Sequence, residues 1–375
     1  MSRLNVSNLF NENEDGAPVV SGISTFSSPN YFVPPSGSTA QRPSSPGEGM
    51  IRFNTDSGHL EYYSGELWVD VIVNNNELGG GTGSNTGTGT RGFQAGGYTP
   101  NRRDEIDYIT ISTLGNSQDF GNLTAARYGA KCCASRTRGL NMGGTTGSLF
   151  NTIDYITIAS TGNALDFGDL TGTNRSELAS SFSNSTRGIA TGGSSSVDII
   201  DYVTIAQTGN AVDFGNLSVA RGHSNGCSNV VRGVTFGGEI PGNIADTIDY
   251  VTISTTGNAQ DFGNLSATRR GVAAVSNSIR GISAGGDAPS QVNIIEFITL
   301  STLGDAQDFG DLTVARGNSF AGMCSPIRGV FGSGYPTTSN VMDCISIQST
   351  GNAIDFGDTT QFYNRGGSSN GHGGL

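Results

Sequence analysis

The chain has 375 residues, 57 of them glycine, and a formal net charge of −12. Its one lysine is Lys131, and so acidic a surface argues against sequence-independent nucleic-acid binding, which needs clustered cations to displace counterions, and against an anionic membrane surface. No apolar run reaches the length of a membrane span, and the start, "MSRLNVSNLFNENEDG", lacks the charged-then-apolar order of a secretory signal, so the chain is expected to be made in a cytoplasm.

Residues 1–45 are polar and rich in Pro and Ser, as in "FVPPSGSTAQRPSSP", and read as an extended arm. Residues 46–72, "PGEGMIRFNTDSGHLEYYSGELWVDVI", read as a small β-module of three strands around 49–55, 59–64 and 67–72, with "DSG" and "SGE" as turns. Ile51 and Phe53, Leu60 and Tyr62, and Leu67, Val69 and Val71 alternate to give one apolar face. Three strands this short cannot bury enough surface to stand alone. The face is therefore expected to pack on other copies of the chain or on a larger assembly, with Ile51, Phe53, Leu60, Tyr62 and Trp68 as the attachment or oligomerisation residues. Residues 73–90 carry "GGGTGSNTGTG", which precedes no helix and so reads as a tether rather than a phosphate loop.

From residue 91 the chain repeats itself. Arg-Gly recurs at Arg91, Arg138, Arg187, Arg232, Arg280 and Arg328, every ~45–50 residues. Each copy runs through a short apolar segment ending in or near Gly-Gly ("RGVTFGG"), a variable polar stretch, a β-rich run ("IDYITIAST"), a turn ("TGNA"), then "DFGN" or "DFGD". "LTVAR" follows and leads into small residues. That is about four short strands per unit, divided by Gly-Asn and Gly-Asp turns, with no helical period. Six units of this length fit the blades of a β-propeller better than the shorter rungs of a β-helix.

The Gly-Gly closing the second strand, the aromatic third strand and the "AR" before the first resemble the kelch propeller family. That resemblance implies an all-β fold, a six-bladed kelch-like β-propeller over residues 91–375, behind the arm and the module. In place of the family's fourth-strand Trp this chain has Phe120, Phe167, Phe214, Phe262, Phe309 and Phe356.

Asp-Phe-Gly is also a kinase tripeptide, but a kinase needs one copy, and six equivalent aspartates are scaffold. The Phe is expected to wedge between blades, the Gly to let the strand approach its neighbour, and the Asp to accept from a turn or to pair with a repeated Arg. Arg127, Arg175, Arg221, Arg269 and Arg316 are expected to pair with aspartates of "ID" or "DFG"; a ring of cations facing an acidic glycan is the rival. The first unit lacks a small-residue strand before "RGFQAGG", whereas the last ends "NRGGSSNGHGGL", with Arg365 where other units have "AR". Residues 365–375 are thus expected to supply the innermost strand of the first blade and close the ring.

Cys132, Cys133, Cys227, Cys324 and Cys344 have no regular spacing. Cys133 and Cys227 align with Phe182, Val275 and Met323, and Cys344 with Tyr108, Tyr155, Tyr202, Tyr250 and Phe297, so they read as small buried apolar residues. Besides His59, the histidines His223 and His372 fall in the expected innermost strands, without an evident third ligand. No catalytic residue, metal site or cofactor is expected.

The connections between second and third strands differ from unit to unit ("YTPNRRDE", "TTGSLFNT", "EIPGNIADT", "YPTTSNV"), as do those from fourth to first, and both sets lie on one face of a propeller. A scaffold keeps a loop uniform, while recognition needs distinct surface. Tyr98, Arg102, Arg103, Phe150, Ile240 and Tyr335 are the contact candidates.

Pro46, Gly49, Ile51, Arg52, Phe53, Asn54, Thr55, Gly58, Leu60, Glu61, Tyr63, Gly65 and Trp68 resemble a small β-module of tailed-bacteriophage fibre and virion-surface proteins, and the style of "MSRLNVSNLF" and of the repeats resembles virion proteins of marine cyanobacterial phages. The resemblance implies a non-enzymatic virion structural protein assembled in the host cytoplasm, tail-fibre or adhesin-like. Its arm would bind other virion proteins, its module would form a homo-oligomer, and its propeller would meet a host-surface glycan or protein. A capsid or tail decoration or fibre-support protein is the alternative, and a glycan-active enzyme on a propeller scaffold a third.

Overall fold

The computed structural model describes residues 34–375 apart from 57–58, 71–89, 149, 173–174, 195–196, 319, 336–339 and 360–362. The chain forms two compact units, Met1–Asn75 and Asn76–Leu375.

The first unit holds the strands Ile51–Asn54, His59–Tyr63 and Trp68–Asp70 in antiparallel order, and Ser36–Gly37 adds a fourth, parallel to Ile51–Asn54. The arm therefore enters the module ten residues before its expected boundary. Pro35 and Gly37 accept from the Phe53 and Thr55 amides at 2.8 and 3.0 Å, and the edge of the sheet is covered. Residues 1–33 and 71–89, with Val71 and most of the expected tether, lie outside the described residues.

The face that is buried is polar. Glu61 is fully buried and receives Arg42 through two hydrogen bonds of 2.5 and 3.2 Å, Asn54 at 3.0 Å, and the Arg52 guanidinium at 3.5 Å. Ile51, Phe53, Tyr62 and Val69 form the other face and stay exposed, Ile51 by 55%. Trp68 does not belong with them: it is cross-strand from Tyr63 on the Glu61 side, 5.9 Å from the Arg42 guanidinium, which covers its ring. The Arg42 hydrogen bond holds the Glu61 carboxyl below its usual pKa. Its stabilisation is thus complete above the ordinary carboxylate range and lost as pH falls through the lowered folded value. Glu61→Leu is expected to lower the urea midpoint of this unit, read from Trp68, the chain's one tryptophan.

The second unit is all-β: six four-stranded antiparallel sheets, one per repeat. Sheet 2, for example, runs Lys131–Ala134, Arg138–Met142, Thr152–Thr157 and Leu165–Asp169. In sheets 3–6 the inner strands are Ser180–Ser183, Asn225–Ser228, Ala273–Ser276 and Ala321–Cys324. Sheet 1 joins the two ends of the repeat region, because Gly366–Ser369 pairs antiparallel with Arg91–Ala95. Each inner strand lies against those of its two neighbours, and Gly366–Ser369 lies against both Lys131–Ala134 and Ala321–Cys324, so the succession returns to its start. Six apolar clusters fill the gaps between successive sheets, including one joining Ile109 and Ile111 of sheet 1 to Met323, Met342 and Phe356 of sheet 6.

The recurring phrases hold sheet to sheet. Each "DFG" phenylalanine is buried between its own sheet and the next, as Phe120 is with Ile156 and Ile158. In five sheets it meets the third-strand aromatic edge-on, Tyr108 with Phe120 at 5.9 Å, an arrangement worth about 0.5–1.5 kcal/mol beyond burial. The glycine has no room for a side chain: at Gly121, with φ +144°, a Cβ would stand 2.4 Å from the Gly162 carbonyl oxygen of the "TGNA" turn in sheet 2. Gly162 donates to the Phe120 carbonyl at 2.7 Å, and Asn163 accepts the Asn122 amide at 3.1 Å. The same docking repeats around the set and ends with Gly115 of sheet 1 donating to Phe356 of sheet 6 at 2.9 Å. "TGNA" and "DFG" are thus two halves of one joint. The "DFG" aspartates are exposed and, among the described residues, pair with no arginine, because their side chains alternate away from the buried Phe.

Two sets of arginine divide the remaining work. Five of the Arg-Gly arginines lie over the third-strand ring, Arg138 at 4.5 Å from Tyr155, while sheet 6 has Cys344 in place of the ring; all six donate to a carbonyl of the next sheet, Arg138 to Ile205 at 2.8 Å and Arg328 to Ile111 at 2.9 Å. Arg127, Arg175, Arg221, Arg269, Arg316 and Arg365 are fully buried and form ion pairs with third-strand carboxylates, Glu296 for Arg269 and otherwise Asp154, Asp201, Asp249, Asp343 and Asp107 at 2.8–3.2 Å. Thr124, Thr171, Ser218 and Thr313 donate to the same carboxylates from the connection between sheets. The register corrects one detail. Gly366 stands opposite Ala95 as Lys131 stands opposite Met142, so Arg365 aligns with Ala130, three places past Arg127, yet its guanidinium reaches the equivalent carboxylate.

Candidate functional site

Inner strands of all six sheets enclose a narrow cavity of about 30 Å³ lined by small residues such as Ser181, Gly226, Gly322 and Gly367. Its two ends differ. At the C-terminal ends of the inner strands, the closing strand stops at Ser369 and residues 370–375 fold across the opening. His372 Nε2 lies 2.8 Å from the Ala134 carbonyl and 3.2 Å from Ser183 Oγ, and Gly373 donates to Ser276 at 3.1 Å. Burial pushes His372 down to about 4. The folded chain keeps it neutral while the unfolded chain protonates it, so stability falls as pH drops from 6.5 to 4. His372→Gln, which cannot titrate, is expected to flatten that part of the thermal-unfolding curve against pH.

At the opposite end, each sheet contributes a residue with left-handed φ just before its inner strand: Gly129, Glu177, His223, Gly271, Asn318 and Asn364. Gly129 donates to Asn364, His223 to Glu177 and Gly271 to His223, at 3.0, 3.3 and 2.6 Å. Gly and Asn adopt this conformation readily; Glu177 and His223 do so at about 1–2 kcal/mol each. Their side chains meet at 2.8 Å and remain about a quarter exposed. His223 therefore lies in a lead-in turn, at the end away from His372, not in an inner strand as expected. Beside them Lys131 begins the inner strand of sheet 2. It is 2% exposed, and its ammonium has no hydrogen-bond partner among the described residues. Desolvation lowers it to about 7.

The contact candidates fare unequally. Tyr98 packs on Tyr128 and Tyr363 at 5.3 and 5.7 Å, and Tyr335 on Tyr363 at 5.8 Å, which brings four tyrosines from the region of sheets 6, 1 and 2 into one cluster. Arg102 is exposed, 6.0 Å from the centre of the Tyr128 ring. Arg103 is engaged by the Thr99 carbonyl at 2.9 Å and by Glu105 at 3.6 Å. Phe150 is half-buried, 5.0 Å from the Arg127 guanidinium. Ile240 ends the long hairpin Arg232–Ile240 and Asn243–Thr252, apart from the tyrosines. The aligned repeats gave no sign of Tyr128, Tyr363 or Glu177; their one signal was that they differ from the other units at the lead-in to the inner strand.

All five cysteines are buried and free, and burial pushes Cys132 to about 12 and Cys324 to about 11, the wrong direction for a nucleophilic thiolate. Among the described residues no three His, Cys, Asp or Glu side chains come together as a metal site would need. No protein-family model matches the chain, and no curated protein does.

Proposed function

We propose that the chain is a non-enzymatic structural protein of a tailed-phage virion, tail-fibre or adhesin-like. Residues 91–375 are read as a six-bladed kelch-like propeller, the arm as the link to other virion proteins, and the Ile51, Phe53, Leu60 and Tyr62 face as the contact with further copies. One observation carries the functional half. The residues that break the repeat, Lys131, Glu177, His223, Arg102 and the tyrosine cluster, gather at one end of the cavity, while the chain's own tail covers the other. Adhesion would come from weak contacts multiplied by copy number on the particle. Labelled full-length chain is expected to bind marine cyanobacterial cells and to be displaced by their soluble surface polysaccharide; absence of binding to a susceptible host would refute it.

A second reading has its own support. On the tail-covered end, the hairpin tips of sheets 4–6 expose Val230, Val231, Ile279 and Ile327, each by more than half, where sheets 2 and 3 have Thr137 and Thr186. Such an apolar patch suits docking on another virion protein in a decoration or support role.

A further inference from the structure

We propose that two matching clefts, in the connections between third and fourth strands of sheets 1 and 4, each hold one residue of an uncharged sugar. These connections lie at the end of the sheets covered by the chain's own tail, away from the proposed adhesive surface, so the inference does not rest on the adhesive reading.

The clefts are open to solvent and roomy, about 150 Å³ in sheet 1 and 170 Å³ in sheet 4. A void of ~150 Å³ accepts a ring the size of benzene, whereas the central cavity holds little more than a water. In sheet 1 the walls include Tyr108, Thr110, Thr113, Leu114, Asn116 and Gln118. The counterparts in sheet 4 are Tyr250, Thr252, Thr255, Thr256, Asn258 and Gln260. No charged side chain lines either cleft among the described residues.

A polar pair sets these two sheets apart. The Tyr108 hydroxyl donates to Gln118 Oε1 and that of Tyr250 to Gln260 Oε1, both at 2.6 Å. Sheets 2, 3 and 6 put Leu165, Val212 and Ile354 in the place of the glutamine, each more than half exposed. Sheet 5 sets Gln307 against Phe297, which has no hydroxyl to give. The scaffold therefore forms without the pair, and sheets 1 and 4, three apart either way around the set, share it.

The pair fixes what the cleft presents. With its oxygen taken by the tyrosine, each glutamine is left to offer its NH2 group. Asn116 and Asn258 are held in the same way, their oxygens accepting the Asp358 and Asn216 amides at 2.9 and 3.1 Å. None of the four amide nitrogens makes a hydrogen bond among the described residues. Each cleft thus combines two oriented donors with threonine hydroxyls and a tyrosine oxygen, a set that matches vicinal hydroxyls, which both accept and donate. A charged sugar would give up its hydration here for no counter-charge.

The test is saturation-transfer NMR of the full chain with the methyl glycosides of galactose, glucose and mannose, and with that of galacturonic acid as the charged control. At least one neutral glycoside is expected to give a signal, stronger than that of the acid. Gln118→Leu with Gln260→Leu, the residue that sheet 2 carries at this place, is expected to remove the signal at an unchanged melting temperature, and each single substitution to leave the share of the other cleft. Tyr98→Ala with Tyr335→Ala is expected to leave it intact. No signal from any of the three neutral glycosides, a signal that survives the double glutamine substitution, one lost with the tyrosines, or a stronger signal from the acid overturns the inference. Cell binding of the same variants bears separately on the adhesive reading.

Discussion

Arg365→Ala is expected to destabilise the second unit by about 3–5 kcal/mol, because it leaves the Asp107 carboxylate buried beside no cation. Arg365 Nη1 donates to Asp107 at 2.8 Å, and Nη2 to the Gln94 and Glu105 carbonyls at 3.2 and 3.3 Å, so one side chain ties the closing strand to two strands of sheet 1. The loss should not be confined to the mutated residue. Gly366–Ser369 contributes four residues of pairing and little side chain, and its anchor is this ion pair. Hydrogen exchange should therefore rise in both Gly366–Ser369 and Arg91–Ala95, alongside a lower calorimetric melting temperature. Arg221→Ala should cost a similar amount, but both ends of its inner strand are held by continuous chain, so exchange at Arg91–Ala95 should not change.

Substitutions within one "DFG" should separate by more than about 2 kcal/mol. Gly215→Ala puts a Cβ 2.4 Å from the Gly257 carbonyl oxygen at a φ of +148° that side-chain-bearing residues rarely adopt. Backbone strain alone accounts for about 1–3 kcal/mol, and the clash with rigid backbone adds to it. Asp213→Ala, two residues earlier, touches an exposed side chain with no arginine partner among the described residues and should stay within about 0.5 kcal/mol. Thermal unfolding of the two variants checks both. The reverse order would mean that the aspartate, as in an enzyme, is what the repeat preserves.

The scaffold was legible because repetition shows which residues serve the same place. Phe120 and its five counterparts and the glycines after them recur together and join neighbouring sheets, and the arginines before the inner strands recur with them and tie each lead-in to the sheet that follows. Partner choice was not legible. Both "ID" and "DFG" offered carboxylates to the arginines, and only strand alternation sends one inward and the other to solvent. Arg365 misled by spelling: its Arg-Gly resembles the ordinary lead-in, but the chain reaches the same carboxylate from three residues further on. In the small module the alternation was read correctly, but the buried side was the one holding Arg52, Asn54 and Glu61, which an apolar-face argument overlooks.

The candidate site was less legible still. Lys131, Glu177 and His223 come from three sheets, and Tyr98, Tyr128, Tyr335 and Tyr363 from around the closure. No local pattern links them, since what they share is departure from a repeat.

The decisive measurement is adhesion of labelled full-length chain to host cells after matched substitutions at the two ends of the cavity, Tyr98→Ala with Tyr335→Ala on one and Val231→Ser with Ile279→Ser on the other. If irregular residues form the recognition surface and recurring ones the scaffold, the first pair abolishes adhesion and the second leaves it intact. Adhesion that survives the tyrosine substitutions and disappears with the valine and isoleucine would contradict this division and place recognition on the end covered by the chain's own tail.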